Sequence, residues 1–241
     1  MVHKYQLSII IPALFKNNEY KRCLECIYSA LEESISFEVI VVTPNPLSFH
    51  LDDKKNLRYI EDSGTGIYAA MNQGIFESNG EYIYFIGIDD ILIPLFLKAF
   101  IEGVKSNADL ILGDVYWGKN KIFKNYYIKY ILLWKNWCHQ GIIYKKNILL
   151  INNIKFDTKY KVQADHHLNI LIATMSKIKI YKFNGAIAWY SSTGFSSRFK
   201  DQTFRSFFPI LVRENFGYIS YLIVITRRII LSIFNKFNFN D

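Results

Sequence analysis

The sequence predicts an α/β protein: a mixed, mainly parallel sheet flanked by helices, closed by an amphipathic helical tail. Three observations predict it. Short, nearly continuous apolar runs alternate with amphipathic stretches, and Pro, Asn and Gly punctuate the joins. Strands buried on both faces lose the polar alternation of a half-exposed sheet, and parallel strands need long, usually helical, crossovers. In such sheets ligands gather beyond the carboxyl ends of the strands.

The elements follow in order. Leu7 to Ile11 is a compact apolar strand closed by Pro12, and Asn17 and Asn18 are placed to cap a helix from Glu19 to Glu33. Phe37 to Val42 is the second strand, stopped by Thr43-Pro44-Asn45-Pro46. Leu57 to Ile60 reads as a short third strand, Ile67 to Glu77 as a helix, and Tyr82 to Ile86 as a fourth strand after Asn79-Gly80. Beyond it, Pro94 to Lys105 reads as a helix, Ala108 to Val115 as a strand, and Trp117-Gly118-Lys119-Asn120 as a hairpin turn. The stretch from Lys124 to Trp137 is aromatic and basic without clear periodicity; Ile142 to Tyr144 is a short strand, and a helix opens at Gln163 and runs to Thr174. No repeat or low-complexity linker divides the chain, so the expected organisation is a catalytic domain over residues 1–200 and a tail over 201–241.

Composition bounds the partners. At 241 residues the chain is long enough for a substantial core, and 51% apolar residues exclude a disordered polyelectrolyte. A net charge of +8 attracts polyanions: nucleic acid, anionic lipid or a phosphorylated substrate. Three cysteines make no disulfide framework, and the opening Met1 to Ser8 lacks the apolar stretch of a signal peptide, so the expected location is the cytoplasm.

The most informative residues are Asp89 and Asp90, just beyond the fourth apolar run and Gly87-Ile88. A buried strand ending in paired acids sets hard oxygen ligands at the mouth of a sheet, where a divalent cation can hold a diphosphate. On its own the pair reads more readily as a solvated turn before a helix.

The order of landmarks resembles the family 2 glycosyltransferases of GT-A fold, especially bacterial enzymes of surface-polysaccharide synthesis. The resemblance spans residues 5–198 and rests on Leu7-Ser-Ile-Ile-Ile-Pro12, Gly66-Ile-Tyr-Ala-Ala-Met-Asn-Gln-Gly74, Gly80-Glu-Tyr-Ile-Tyr-Phe-Ile-Gly-Ile-Asp-Asp90, His139-Gln140, Ala164-Asp165 and Thr193-Gly194-Phe195-Ser196. It implies an inverting transfer of sugar from a nucleotide-diphosphate sugar to an acceptor hydroxyl, assisted by Mn²⁺ or Mg²⁺. By this resemblance Asp90 is the metal ligand, and Asp89 contacts the ribose or a metal-bound water. Pro12, Asp62, Gly66, Asn72 and Asp89 form the donor side, while His139 and Gln140 border the acceptor pocket or touch the donor phosphate. Asp165 is the general base, since transfer to a hydroxyl needs a group to take its proton.

Departures from the family pattern matter. Gly87 stands where a fuller acidic motif begins, which favours one direct protein ligand over two. Thr43 to Pro46 lacks the acid that many relatives use on the base, and Ala69 replaces the acid of Gly-Ile-Tyr-Asp-Ala-Met-Asn. Asp62, directly after the third strand, is the replacement candidate. Gly64-Thr65-Gly66 is no Walker sequence, because no Lys follows; it serves either as a plain turn or as a backbone approach to phosphate.

Other residues favour packing. Cys23 and Cys26 lie within an amphipathic helix without a second pair. His166 and His167 diverge by about 100° on a helix, which argues against a shared zinc. Trp134 and Trp137 are readable as sugar-stacking, lipid-facing or core residues.

The tail places Ile219, Leu222, Ile223, Ile229, Ile230, Ile233, Phe234 and Phe237 on one face, with Arg227, Arg228, Ser232, Asn235 and Lys236 on the other. Arg227 and Arg228 interrupt the apolar run short of the ~18 to 20 residues a bilayer crossing needs, so the helix is expected to lie in an anionic membrane interface. Docking on the domain or on a second copy is the competing reading. The implied acceptor is a saccharide, polyprenyl-diphosphate-linked, at the inner face of the plasma membrane, in O-antigen, capsule or exopolysaccharide synthesis; nucleic acid is not an expected partner. A nucleotidyltransferase of similar fold would carry a Gly-rich, basic loop after its first strand, and Ala13 to Asn17 is not one. A non-catalytic membrane-surface or nucleic-acid binder would explain the charge without needing the ordered acids.

Overall fold

The computed structural model describes residues 3–31, 33–49, 54–62, 65–118, 121–191, 199 and 201–237. Its centre is a nine-stranded mixed sheet. The strands are β1 (Tyr5–Pro12), β2 (Phe37–Thr43), β3 (Leu57–Glu61), β4 (Gly80–Phe85), β5 (Ile91–Leu92), β6 (Leu110–Trp117), β7 (Lys121–Phe123), β8 (Ile142–Lys145) and β9 (Ile180–Tyr190). The helices are α1 (Asn18–Leu31), α2 (Ile67–Glu77), α3 (Leu95–Lys105), α4 (Lys146–Ile151), α5 (Ala164–Ala173) and α6 (Gln202–Phe237).

Strand order is β3-β2-β1-β4-β8-β6-β9-β5, with β7 paired to β6. The first four strands are parallel, in the registers Val42↔Ile60, Pro12↔Val42 and Ile10↔Phe85, so Pro12, Thr43, Asp62 and the acids after β4 share one edge. β8 runs antiparallel between β4 and β6, while β6 and β9 are parallel. β2 is buried along its whole length, as a strand covered on both faces must be. One core layer packs α1 and α3 on the sheet; the other packs α2, α5 and the start of α6 on its opposite face.

Local signals explain the elements. The Asn17 carboxamide accepts the Tyr20 N–H at 2.9 Å, capping α1. Cys23 and Cys26 pack inside that helix and its neighbourhood, Cys26 Sγ lying 3.1 Å from the Cys23 carbonyl. Trp117↔Lys121 pairing closes the expected hairpin, whose Lys119 and Asn120 lie outside the described residues. The sequence reading did not anticipate α4, β5 or β9.

The tail differs most from expectation. α6 starts at Gln202, and Phe204, Phe208, Leu211 and Val212 belong to the main core, so packing with the catalytic body continues past residue 201. Gly217, at φ 84° and ψ 174°, breaks the helix. Only glycine adopts such a conformation readily, and the break separates the core-packed half from a mostly outward half, in which Ser220 is buried and Val224 rejoins the main core. By length and composition Gln202–Phe234 suffices to cross a membrane, which the shorter predicted segment did not. The core-packed residues keep its first half with the protein, however.

Candidate active site

The site forms where β4 and β9 end and β5 begins. After Phe85 the chain turns through Ile86 to Asp90, and β5 then pairs Ile91 with Trp189 and Leu92 with Ala188. This pairing brings the end of β9 to the acids: the Ser191 N–H donates to Asp90 Oδ1 at 3.0 Å. Asp90 Oδ2 accepts from Gln140 Nε2 at 2.8 Å and from the Gly87 N–H at 3.2 Å. A carboxylate has about four acceptor positions, so three hydrogen bonds leave room for one further ligand. Asp90 is 1% exposed, whereas Asp89 is more open.

Gly87 is required sterically. A Cβ there would lie 2.9 Å from both Asp89 Oδ1 and Asp90 Oδ2, so an acid in that position has no space unless the pair moves. Burial, and then repulsion from Asp89, push the Asp90 pKa up to about 6. A bound cation relieves both penalties. Among the described residues no three His, Cys, Asp or Glu side chains assemble a metal cage, and Asp89 and Asp90 are adjacent carboxylates just beyond the end of β4. That suits an ion completed by substrate phosphates.

Asp165 occupies the first turn of α5. Its Oδ2 accepts from Asn136 Nδ2 at 2.7 Å, and its Oδ1 from the Tyr68 hydroxyl at 3.3 Å. His139 Nδ1 stands 3.8 Å from Oδ2. Burial opposes the charge, but the His139 contact and the nearby His166 outweigh it, holding the pKa below the usual carboxylate value. Asn136 is fixed in turn: Asn169 Nδ2 donates to its Oδ1 at 2.9 Å, and Tyr144 donates to Asn169 at 3.0 Å.

The two acids meet across a single turn, His139–Gly141. His139 faces Asp165 and its neighbour Gln140 faces Asp90. Gln140 is buried, its carbonyl accepts from Tyr84 at 2.8 Å, and its side chain donates to Asp90.

The donor-side residues divide. Pro12 and Asp62 share the sheet edge, and Asp62 Oδ1 is buried with no hydrogen-bond partner among the described residues, an acceptor ready for a donor. Gly66 is the N-cap of α2, while Gly64 lies outside the described residues. Asn72 is committed elsewhere: its Nδ2 donates to the Phe156 carbonyl at 2.8 Å and its Oδ1 accepts the Phe156 N–H at 2.9 Å. Thr193 to Ser196 also lie outside the described residues. His166 and His167 part as expected, His166 to the Leu132 carbonyl and His167 towards Tyr160.

Asn136, Tyr68 and Ser191 were not identified from the sequence. A polar residue between Trp134 and Trp137 was the available signal for Asn136; Ser191 carried none, because β9 supplies its position.

A parallel half-sheet ending on a buried acid, with a second acid one turn away, fits the GT-A fold. Solved structures agree on the fold: Staphylococcus aureus TarS superposes with TM-score 0.71 at 16% identity over 87% of this chain and 39% of that one. Mannosyltransferase PcManGT of Pyrobaculum calidifontis, solved with GDP-Man and Mn²⁺, gives 0.56 at 16% identity, covering 93% of this chain and 75% of that one. Residues 8–176 match the model of glycosyl transferase family 2, and the chain belongs to that family. A PGL/p-HBAD biosynthesis glycosyltransferase of Mycobacterium bovis is 28% identical, covering 92% of this chain and 90% of the relative. Escherichia coli YibD, an uncharacterized glycosyltransferase, is 20% identical over 92% of this chain and 69% of its own.

Proposed function

We propose that this glycosyltransferase moves a sugar, with inversion, from a nucleotide-diphosphate donor to a hydroxyl of a lipid-linked saccharide at the inner face of the membrane. The observation that carries the reading is the His139–Gln140 turn, which has Asp165 on one side and the buried Asp90 on the other. Asp165, ionised at neutral pH and aimed by Asn136 and Tyr68, takes the acceptor proton as its oxygen attacks the anomeric carbon. One candidate base, with no second candidate nucleophile among the described residues, favours direct displacement. Asp90, with Asp89 beside it, would hold Mn²⁺ or Mg²⁺, which would supply positive charge to offset that of the leaving diphosphate. Asp62 Oδ1 accepts a hydrogen bond from the nucleoside.

Two likenesses support donor and acceptor class. TarS has been solved with UDP-GlcNAc, and a relative over most of this chain is named for PGL/p-HBAD biosynthesis. The outward half of α6 supports membrane attachment, because Ile219, Ile229 and Phe234 are exposed while Arg227 and Arg228 lie over Trp134 and Phe208 of the body. A helix docked through its apolar face would show the reverse.

The test is a thermal-shift screen of UDP- and GDP-sugars with Mn²⁺ or Mg²⁺ on wild type, Asp90→Ala and Asp165→Asn. A nucleotide sugar should stabilise wild type and Asp165→Asn but not Asp90→Ala, and Asp165→Asn should turn over about 10²- to 10⁴-fold more slowly. An equal response from Asp90→Ala sinks the metal–diphosphate site.

A further inference from the structure

We propose that the aromatic segment from Tyr126 to Trp134 is a second membrane-seating surface, which together with the outward half of α6 docks the acceptor side of the enzyme on anionic lipid. The proposal rests on the tail reading above and adds a second contact to it.

The segment is built for an interface. Tyr127 is 61% exposed and Trp134 44%, and Tyr126, Ile128 and Tyr130 are exposed with them. Tyr and Trp settle at head-group depth because each joins an apolar body to a polar tip. The segment is anchored: buried Trp137 donates its indole N–H to the Tyr126 carbonyl at 2.6 Å. An open groove of about 320 Å³, lined by Tyr126, Ile128, Tyr130, Ile131 and Trp134, runs along it.

The segment also adjoins the tail. The Tyr130 ring lies 5.8 Å from Phe216, and the Arg227 guanidinium sits 5.0 Å over Trp134. The aromatic surface therefore borders the outward helix whose Ile219 is 76% exposed.

Charge selects the occupant. Residues 121–135 contain Lys121, Lys124, Lys129 and Lys135 and no acid; residues 218–237 contain Arg227, Arg228 and Lys236 and no acid. Two copies joined symmetrically through these segments would oppose their cations with no acid from the same segments, the exposed Glu214 lying two residues before Phe216. An anionic lipid surface supplies the missing charge. Asn136, which aims Asp165, follows Trp134 by two residues, so this seating holds the base beside the plane in which a lipid-linked hydroxyl is presented.

The experiment is flotation of the full chain with phosphatidylcholine vesicles, with and without phosphatidylglycerol. It compares wild type, a segment variant (Tyr127→Ser with Ile128→Ser) and a helix variant (Ile219→Ser with Ile223→Ser). Wild type should bind the anionic vesicles and release in salt, and each variant should bind about tenfold more weakly at an unchanged melting temperature. Brominated lipid should quench wild-type tryptophan fluorescence, and Trp134→Phe should remove most of that quenching; this readout serves even if the double variants fold poorly. If the segment variant binds like wild type while the helix variant is released, the second surface is wrong and the tail reading stands. If wild type ignores anionic vesicles, both fall. A dimer that dissociates on segment substitution, without vesicle binding, makes the face an interface between copies and overturns the proposal.

Discussion

Asp90 and Asp165 are carboxylates in one site held under opposite electrostatic conditions. Burial and Asp89 push Asp90 up to about 6, while His139 outweighs burial at Asp165 and holds it down. Native Asp90 binds its proton more tightly than the unfolded chain does. Through this group, the cation-free protein therefore loses stability as pH rises from 3.8 to about 6. Above that range the ionised acid accepts a cation; below it, protons compete. Stabilisation by Mn²⁺ with a nucleotide sugar should therefore be complete above about pH 6 and fade below it, measured as melting temperature against pH. A response flat through that pH range would remove Asp90 as ligand. Asp165 works in the other direction, its contribution to stability present above the ordinary carboxylate value and lost as pH falls. Both acids were legible as residues, because a strand end and a helix start announce themselves in sequence. Their partners were not: Gln140 and Asn136 reach them across 50 and 29 positions, separations that local pattern does not encode.

At the scale of elements, α2 shows how a family landmark acquires a local explanation. Asn72 spends both ends of its amide on the Phe156 backbone, pinning the chain after α4 to the helix. Phe156 is fully buried, so Asn72→Ala leaves polar backbone groups unpaired and should cost about 1 to 3 kcal/mol in chemical denaturation. If Asn72 instead touches the donor, stability will hold and the donor KM will rise. β1 to β4 and the helices among them were readable because each is a continuous apolar or amphipathic run. β9 was not anticipated: Ile180–Tyr190 mixes Lys182, Asn184 and Gly185 into its apolar residues, and it becomes a strand by pairing with β6 and β5.

For the whole molecule, the question is where the catalytic body ends. Phe204, Phe208, Leu211 and Val212 are buried against the sheet's helices, and fully burying each such side chain contributes about 1.5 to 3 kcal/mol. Their sum rivals the entire stability of a typical domain. A chain ending at residue 200 should therefore be insoluble or unfolded. One ending at Phe216 should fold, keep its response to nucleotide sugar and lose vesicle binding; circular dichroism and flotation separate the two. Equal folding of both truncations would support the boundary at 200.

Periodicity, punctuation and an acidic pair at a strand end were enough to establish the α/β class, the family resemblance and the identity of the two acids. Those features act over a few residues, within reach of sequence pattern. Tertiary structure alone decided that one turn joins the acids, that Asn72 hydrogen-bonds the Phe156 backbone, that Gln140 hydrogen-bonds Asp90, and which face of the tail looks outward. Each of these depends on where distant segments pack, and burial, rather than local propensity, makes that choice.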